Sequence, residues 1–370
     1  MTSVPNFETP APEPHILLAG FWMWPFFEQA AADALTSLGA RVTRFAWFDD
    51  FYEWRPGIPE PQPRSFPRRL QNRLVAGPAV RSMNERLIRL AVDERPNVIL
   101  FHNPTHVYPS TVRRLRKLLP HTTLVQYAND NPFGGMRHYW RHLRRALPEY
   151  DVHFAFRHSN IRDYLANGAN EVHLLRGYYM PDKVFRDVPT DERLRSDVVF
   201  AGHYEPDGRL EALEGIARAG WNLRVFGGSW SRVPRFLSPD SPLRSQLPIL
   251  PVLGSEYRQA LSGAAIALCF LSRLNRDTYT LRNFEIPAVR TLMLSEYTDD
   301  LASLFEEGVE ADYFRSHDEL LDKVAFYMNN PAVRERVAHR GHERLLRDGH
   351  DVRSRMRSFL DTVWPGPRYP

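Results

Sequence analysis

Short apolar runs alternate with longer amphipathic segments along most of the chain, a pattern that predicts parallel α/β units rather than a sandwich or a helix bundle. In the first half the runs predict strands at 15–19, 41–46, 97–101, 123–126, 152–155 and 172–175. Between them, 26–38 and 110–119 carry apolar residues at helical spacing, with Ser110 as the expected N-cap of the second. The series then restarts: a strand at 196–202, a helix at 210–219, a strand at 221–226, the turn Gly227-Gly228, and strands at 266–271, 291–295 and 312–314. The segment 232–245, rich in Pro, Ser and Arg, reads as an irregular loop.

This organisation implies an α/β fold of two Rossmann-like domains facing across a cleft, with ligands at the carboxyl ends of the strands. The expected boundaries are a disordered lead over 1–14, where Pro5, Pro10, Pro12 and Pro14 cluster, a first domain over 15–185 and a second over 186–348. A helix within 349–370 either crosses back to the first domain or caps the second.

A chain of 370 residues is long for one core and comfortable for two. No apolar run approaches the roughly 18–20 residues of a membrane span, and the first residues lack the basic start and apolar core of a secretion signal, so a soluble, cytoplasmic protein is expected. Cys269 is the only cysteine and sits in an apolar run, which excludes an internal disulfide and argues against thiolate zinc chemistry. Net charge is only +4, but arginine greatly outnumbers lysine and clusters at 64–73 and 137–145. Such clusters suit a phosphate-bearing acceptor or an anionic membrane surface.

The densest chemistry lies in 275–296, Asn-Arg-Asp-Thr-Tyr-Thr-Leu-Arg-Asn-Phe-Glu-Ile-Pro-Ala-Val-Arg-Thr-Leu-Met-Leu-Ser-Glu, which sets Asp277 and Glu285 eight positions apart. On a helix such residues share one face about two turns apart, so each carboxylate could meet a different part of one ligand. The stretch resembles the GT-B glycosyltransferases of the group-1 type, which include the CgeB-like spore-maturation proteins. In these an acid is followed eight positions later by a Glu that opens a Glu-Ile-Pro-Ala helix. The downstream text at 304–308, 311–314, 318–320 and from Val333 agrees, whereas the first half matches loosely. Arg290 stands where the family usually has glycine, so an altered turn is expected there.

The resemblance implies roles. Glu285 would accept hydrogen bonds from the ribose hydroxyls of a nucleotide-sugar donor, and Asp277 would face the transferred sugar. The diphosphate would be met without a divalent cation or other cofactor, by backbone amides following Tyr279 and Thr280 and by Arg282, Arg276 and Arg209. Leu250 and Val252 fall where relatives hold the nucleobase. Transfer to a hydroxyl acceptor, whether glycan, lipid-linked or small, is implied, with retention at the anomeric carbon. Gly202 is expected at a strand end facing the ligand crevice. On the acceptor side, Asp130 in 127–135 resembles the family's Asp-Pro loop, and His102 is the alternative base; the run 20–25 offers an aromatic sugar platform.

Other readings are weaker. His102 and His106 have helical spacing, but Pro104 lies between them and no third metal ligand is evident. Tyr139 and Trp140 interleave with arginines, yet no nucleic-acid motif accompanies them. A sugar-nucleotide epimerase or hydrolase of the same fold, or a non-catalytic nucleotide-sugar module, remains open beside the transferase.

Overall fold

The computed structural model describes residues 13–55, 61–135 and 138–364. Most of the expected disordered lead, and Arg137 of the second basic cluster, lie outside them. The chain divides into two compact units, residues 1–176 with 353–370, and residues 177–352.

The first unit runs β1 (His15–Gly20), α1 (Ala30–Ser37), β2 (Arg41–Ala46), β3 (Tyr52–Glu53), β4 (Gln62–Pro63), α2 (Phe66–Leu74), α3 (Pro78–Glu94), β5 (Val98–His102), α4 (Pro109–Leu118), β6 (Thr123–Ala128), α5 (Arg141–Ala146), β7 (Val152–Ala155), α6 (His158–Ala166) and β8 (Val172–Leu174). Six strands pair in parallel in the order β2-β1-β5-β6-β7-β8, while β3 and β4 form a separate small hairpin. Every residue of β1 and β5 is buried, as expected of strands covered on both faces by helices. Opposite Ala19 lies Phe101, so the ends of β1 and β5 sit side by side. Helix α3 shows why helical periodicity works: Val80, Met83, Leu87 and Ala91 recur every three to four residues and are all buried. Helix α4 begins differently from expectation. Tyr108 is its N-cap and Pro109 its first residue, placing Ser110 inside the first turn; proline suits that position because its missing N–H would be unpaired there anyway.

The second unit comprises β9 (Ser196–Ala201), α7 (Arg209–Arg218), β10 (Leu223–Phe226), α8 (Gly254–Ser262), β11 (Ala264–Cys269), α9 (Arg282–Ala288), β12 (Leu292–Glu296), α10 (Asp299–Ala302), β13 (Asp312–Phe314), α11 (His317–Asn329) and α12 (Pro331–Arg347). Its five strands are parallel in the order β10-β9-β11-β12-β13. The segment read as an irregular loop carries two 3-10 turns, Trp230–Arg235 and Pro242–Gln246, whose Trp230 and Leu243 are buried. The turn from α9 to β12 forms with Arg290 itself in the left-handed region at φ 60°, the conformation for which glycine is ordinarily chosen. Cys269 is buried and free.

The last helix, α13 (Val352–Val363), belongs from Arg353 onward to the first unit. Its Phe359 is fully buried, 5.3 Å from the ring of Phe154 on β7.

Candidate functional site

In each sheet the strand order reverses once, and the carboxyl ends of the strands flanking that reversal open a crevice. In the first unit the reversal lies between β1 and β5, and in the second between β9 and β11. The chemistry of each unit gathers there.

In the second unit, helix α9 starts at Arg282, so Glu285 is its fourth residue rather than its first, and Asp277 lies in the loop before it. The two acids therefore do not share a helix face. The cause is local: the side chain of Asn283 is fully buried, accepts from the Thr280 amide at 2.8 Å and donates to Ser295 on β12 at 3.2 Å. That lock fixes where the helix begins, and it occupies one of the amides expected to receive a diphosphate. Tyr279 has no exposed surface, packs edge-on to Phe284 at 5.6 Å, and its hydroxyl accepts from the Gly177 amide at 3.2 Å. Its side chain is core, so any ligand contact at this position falls to the backbone. Arg276 is exposed with a left-handed backbone at φ 52°.

Glu285 is half-buried, and its Oε2 accepts from the Tyr257 hydroxyl at 2.5 Å. Burial pushes the Glu285 carboxyl above the usual range, against the opposing pull of the Tyr257 bond and the Arg282 charge. Burial and the neighbouring Glu285 charge in turn raise Tyr257 well above its ordinary value. Among the described residues no protein donor reaches Oε1 of Glu285, which leaves one carboxylate oxygen to accept from a ligand hydroxyl. Arg282, half-buried, donates through Nε to the carbonyl of Ala201 at the end of β9, so it spans the reversal point. Tyr257 was missed by sequence reasoning, although it lies only a few residues beyond Leu250 and Val252. Leu250 is 62% exposed and its carbonyl accepts from Gly227 at 3.1 Å; Val252 is half-buried.

Arg209 is only 4% exposed and its fork is committed. It makes a bidentate pair with Asp207 at 2.8 and 2.5 Å and donates to the His203 carbonyl at 2.6 Å. This arginine builds the 202–208 loop instead of offering a free cation to a diphosphate. Gly202 likewise serves packing. Its amide donates to Phe226 at 2.8 Å, its carbonyl accepts from Trp230 at 2.9 Å, and a Cβ on the neighbouring Gly227 would lie 1.8 Å from that carbonyl oxygen. Two further acids line this edge. Glu296 accepts from the Leu271 amide at 2.6 Å, and Glu205 accepts from Ser272 at 3.0 Å. Burial, together with the Asp207 charge, raises Glu296.

In the first unit a carboxylate and an imidazole meet across the reversal point. Glu28 lies in a π-helical turn, Pro25–Gln29, and is 4% exposed; its Oε1 lies 2.8 Å from Nδ1 of His102 and accepts from the Phe21 amide at 3.0 Å. Burial alone would raise Glu28, but the His102 charge and hydrogen bond, with backbone bonds, hold it below the usual carboxylate range. An ionised carboxylate only accepts, so Nδ1 carries the proton that faces Glu28, and Nε2 is the ring nitrogen left to meet a ligand. No described residue bonds that nitrogen, and the side chain retains 7% exposure. Gly20 makes the link possible, since a Cβ there would stand 2.6 Å from the Glu28 oxygen. Glu28 carried no sequence signal, because it reads as one polar position in a helical segment.

Asp130 is exposed, and its neighbours Asn129 and Asn131 hold the loop: Asn129 bonds Asn103 at 2.5 Å and Asn131 accepts from Asn160 at 3.0 Å. His106 is fully buried in a loop, with burial and the His142 and Arg141 charges pushing its pKa down to about 3, so it is a neutral packing residue rather than a helix partner of His102. Among the described residues no group of three or more His, Cys, Asp or Glu could hold a metal ion.

Residues 209–361 match the model of a family described as glycosyl transferase-like. No curated protein sequence matches the chain. Solved structures match its fold over nearly its whole length. Sucrose-phosphate synthase from Thermosynechococcus elongatus superposes with a TM-score of 0.67 at 12% identity, covering 96% of this chain and 100% of its own. Anabaena HepE in complex with UDP-glucose gives 0.64 at 11% identity, covering 94% and 99%. A protein from Listeria monocytogenes described as a UDP-N-acetylglucosamine 2-epimerase gives 0.58 at 11% identity, covering 95% and 96%. The fold is thus the GT-B fold, and the stretch similar to the glycosyl transferase-like family spans most of the second unit and runs on into α13.

Proposed function

We propose that the chain is a glycosyltransferase that takes a sugar from a nucleotide-sugar donor and passes it to a hydroxyl acceptor. The observation that carries the reading is Glu285. Its carboxylate is steered by Tyr257 and faces no protein donor at Oε1, at the strand edge of the very domain that matches the glycosyltransferase-like model. A carboxylate so placed can accept from ribose hydroxyls and select a nucleotide without acting as a base. Arg282 adds the nearest positive charge for a leaving diphosphate. The Anabaena neighbour with UDP-glucose makes that compound the first donor to try.

We further propose a cytoplasmic hexosyltransferase of the CgeB-like kind, needing no divalent cation and retaining the anomeric configuration. One observation favours a different stereochemical course. The Glu28–His102 pair is built like a general base with an orienting carboxylate, and a base on the acceptor hydroxyl suits direct displacement with inversion. Incubation with UDP-, GDP- and dTDP-sugars and a panel of hydroxyl acceptors tests the function, with and without EDTA. A glycosylated product supports transfer, and NMR of its anomeric proton decides between retention and inversion. Donor rearrangement or hydrolysis alone would move the assignment to an epimerase-like enzyme. Saturable binding without turnover of any donor would leave a binding module, and loss of activity in EDTA would end the metal-independent reading.

A further inference from the structure

Helix α2 is mounted the wrong way round for a globular protein. Amphipathic surface helices turn their apolar stripe to the core. In α2 no residue is buried, and Phe66, Leu70 and Leu74, spaced four apart on one face, are 76%, 45% and 50% exposed. Its polar side holds the helix to the unit: Gln71 accepts from the Ala79 amide at 2.7 Å and Asn72 donates to the Tyr52 hydroxyl at 3.0 Å. At its end, Arg141 donates to the Leu74 carbonyl at 2.6 Å and His142 bonds the Val75 carbonyl at 2.8 Å. The helix is therefore anchored by hydrogen bonds with its apolar stripe turned to solvent. Residues 61–84 contain Arg64, Arg68, Arg69, Arg73 and Arg81 and no Asp or Glu. Trp54, 49% exposed, directly follows β3 and packs against Trp24 and Phe48.

We propose that α2 is a membrane-surface element that lays Phe66, Leu70 and Leu74 into the headgroup boundary of an anionic bilayer while its arginines pair with lipid phosphates. Apolar side chains flanked by basic ones, with tryptophan nearby, are the composition such interfacial helices need. Charge selects the occupant. A second copy docked about a twofold axis would bring its own Arg69 and Arg73 against those of the first, with no acid in the segment to offset them. An anionic lipid surface answers both the apolar stripe and the charge. The inference rests on the first unit alone and is independent of the reaction assigned above.

The test is co-sedimentation of the full-length protein with vesicles of phosphatidylcholine mixed with phosphatidylglycerol, against phosphatidylcholine alone. Binding to the mixed vesicles is expected, reduced at least tenfold on neutral ones and in high salt. The double variants Phe66→Ser/Leu70→Ser and Arg69→Glu/Arg73→Glu should each lose at least tenfold in partitioning. Their melting temperatures should stay near that of the parent, since the substituted side chains are not part of the core. No binding to anionic vesicles would overturn the proposal, as would binding that neither variant weakens. Light scattering that shows a dimer dissolved by the Phe66→Ser/Leu70→Ser pair would assign the face to a second copy instead.

Discussion

The two sheets reverse their strand order in the same way and yet furnish that point differently. Across β1 and β5 the first unit places one carboxylate and one imidazole among aromatic rings, with Phe27 and Tyr127 5.9 and 5.5 Å from His102. Across β9 and β11 the second unit crowds Glu205, Asp207, Arg209, Arg282, Glu285 and Glu296. Counting charges would rank the second edge as far the richer. Counting unspent hydrogen-bonding capacity gives another answer: Arg209 and Asp207 consume each other, whereas Nε2 of His102 and Oε1 of Glu285 have no described protein partner. A buried ion pair builds the loop that carries it; an open lone pair is what a ligand can use.

The largest effect should come from breaking the spent pair. Asp207→Ala strands a buried guanidinium and should cost about 3–5 kcal/mol of stability in urea unfolding. A loss below about 1 kcal/mol would erase the distinction between spent and open groups. At the open groups, stability should change little and activity much. His102→Asn should lower kcat by about 10²–10⁴, the usual worth of a positioned base. Glu28→Gln should lower kcat less and change the pH–rate profile, because Nδ1 loses its anionic acceptor. Linkage supplies a second readout. Since Glu28 is held below its ordinary value of 4.5, its stabilising contribution is complete above about that pH and is lost as pH falls through the lowered value. The Gln variant should therefore show a flatter acid limb of stability.

Glu285→Ala should weaken donor binding by about 1.5–3 kcal/mol, measured by calorimetry; unchanged affinity would remove it from the site. Because burial raises the Glu285 carboxyl, donor affinity in the parent should fall on acidification at a higher pH than an ordinary glutamate would give. Tyr257→Phe deletes a bond that lowers that value, so it should move the acid limb of the affinity–pH curve upward. Smallest of all, Arg290→Gly should change stability by no more than about 1 kcal/mol, as relief of the left-handed backbone at φ 60° is offset by the added freedom of glycine in the unfolded chain.

The alternation of elements was legible because strands covered on both faces are continuous apolar runs; β1, β5, β9 and β11 begin and end within a few residues of expectation. Of the candidate site, the sequence could point only to residues carried by a local motif, such as Glu285. The shared face assumed for Asp277 and Glu285 failed because the buried Asn283 side chain, whose Ser295 partner lies on another strand, sets the start of α9. Glu28 stayed invisible because its partner is 74 positions away. Tyr257 escaped for the same reason, its meaning residing in a contact 28 positions on. The stripe on α2 shows a further limit: periodicity announces an amphipathic helix but not which side it turns inward.

Gly20 gives the molecule an unexpected point of control. The absence of a single methyl group at the end of β1 keeps open a channel through which Glu28 reaches across to the neighbouring strand. Alanine there would act as a wedge, silencing the imidazole from behind without altering either member of the couple. A search for variants with a displaced pH optimum should therefore recover this small strand-end residue alongside the obvious polar ones.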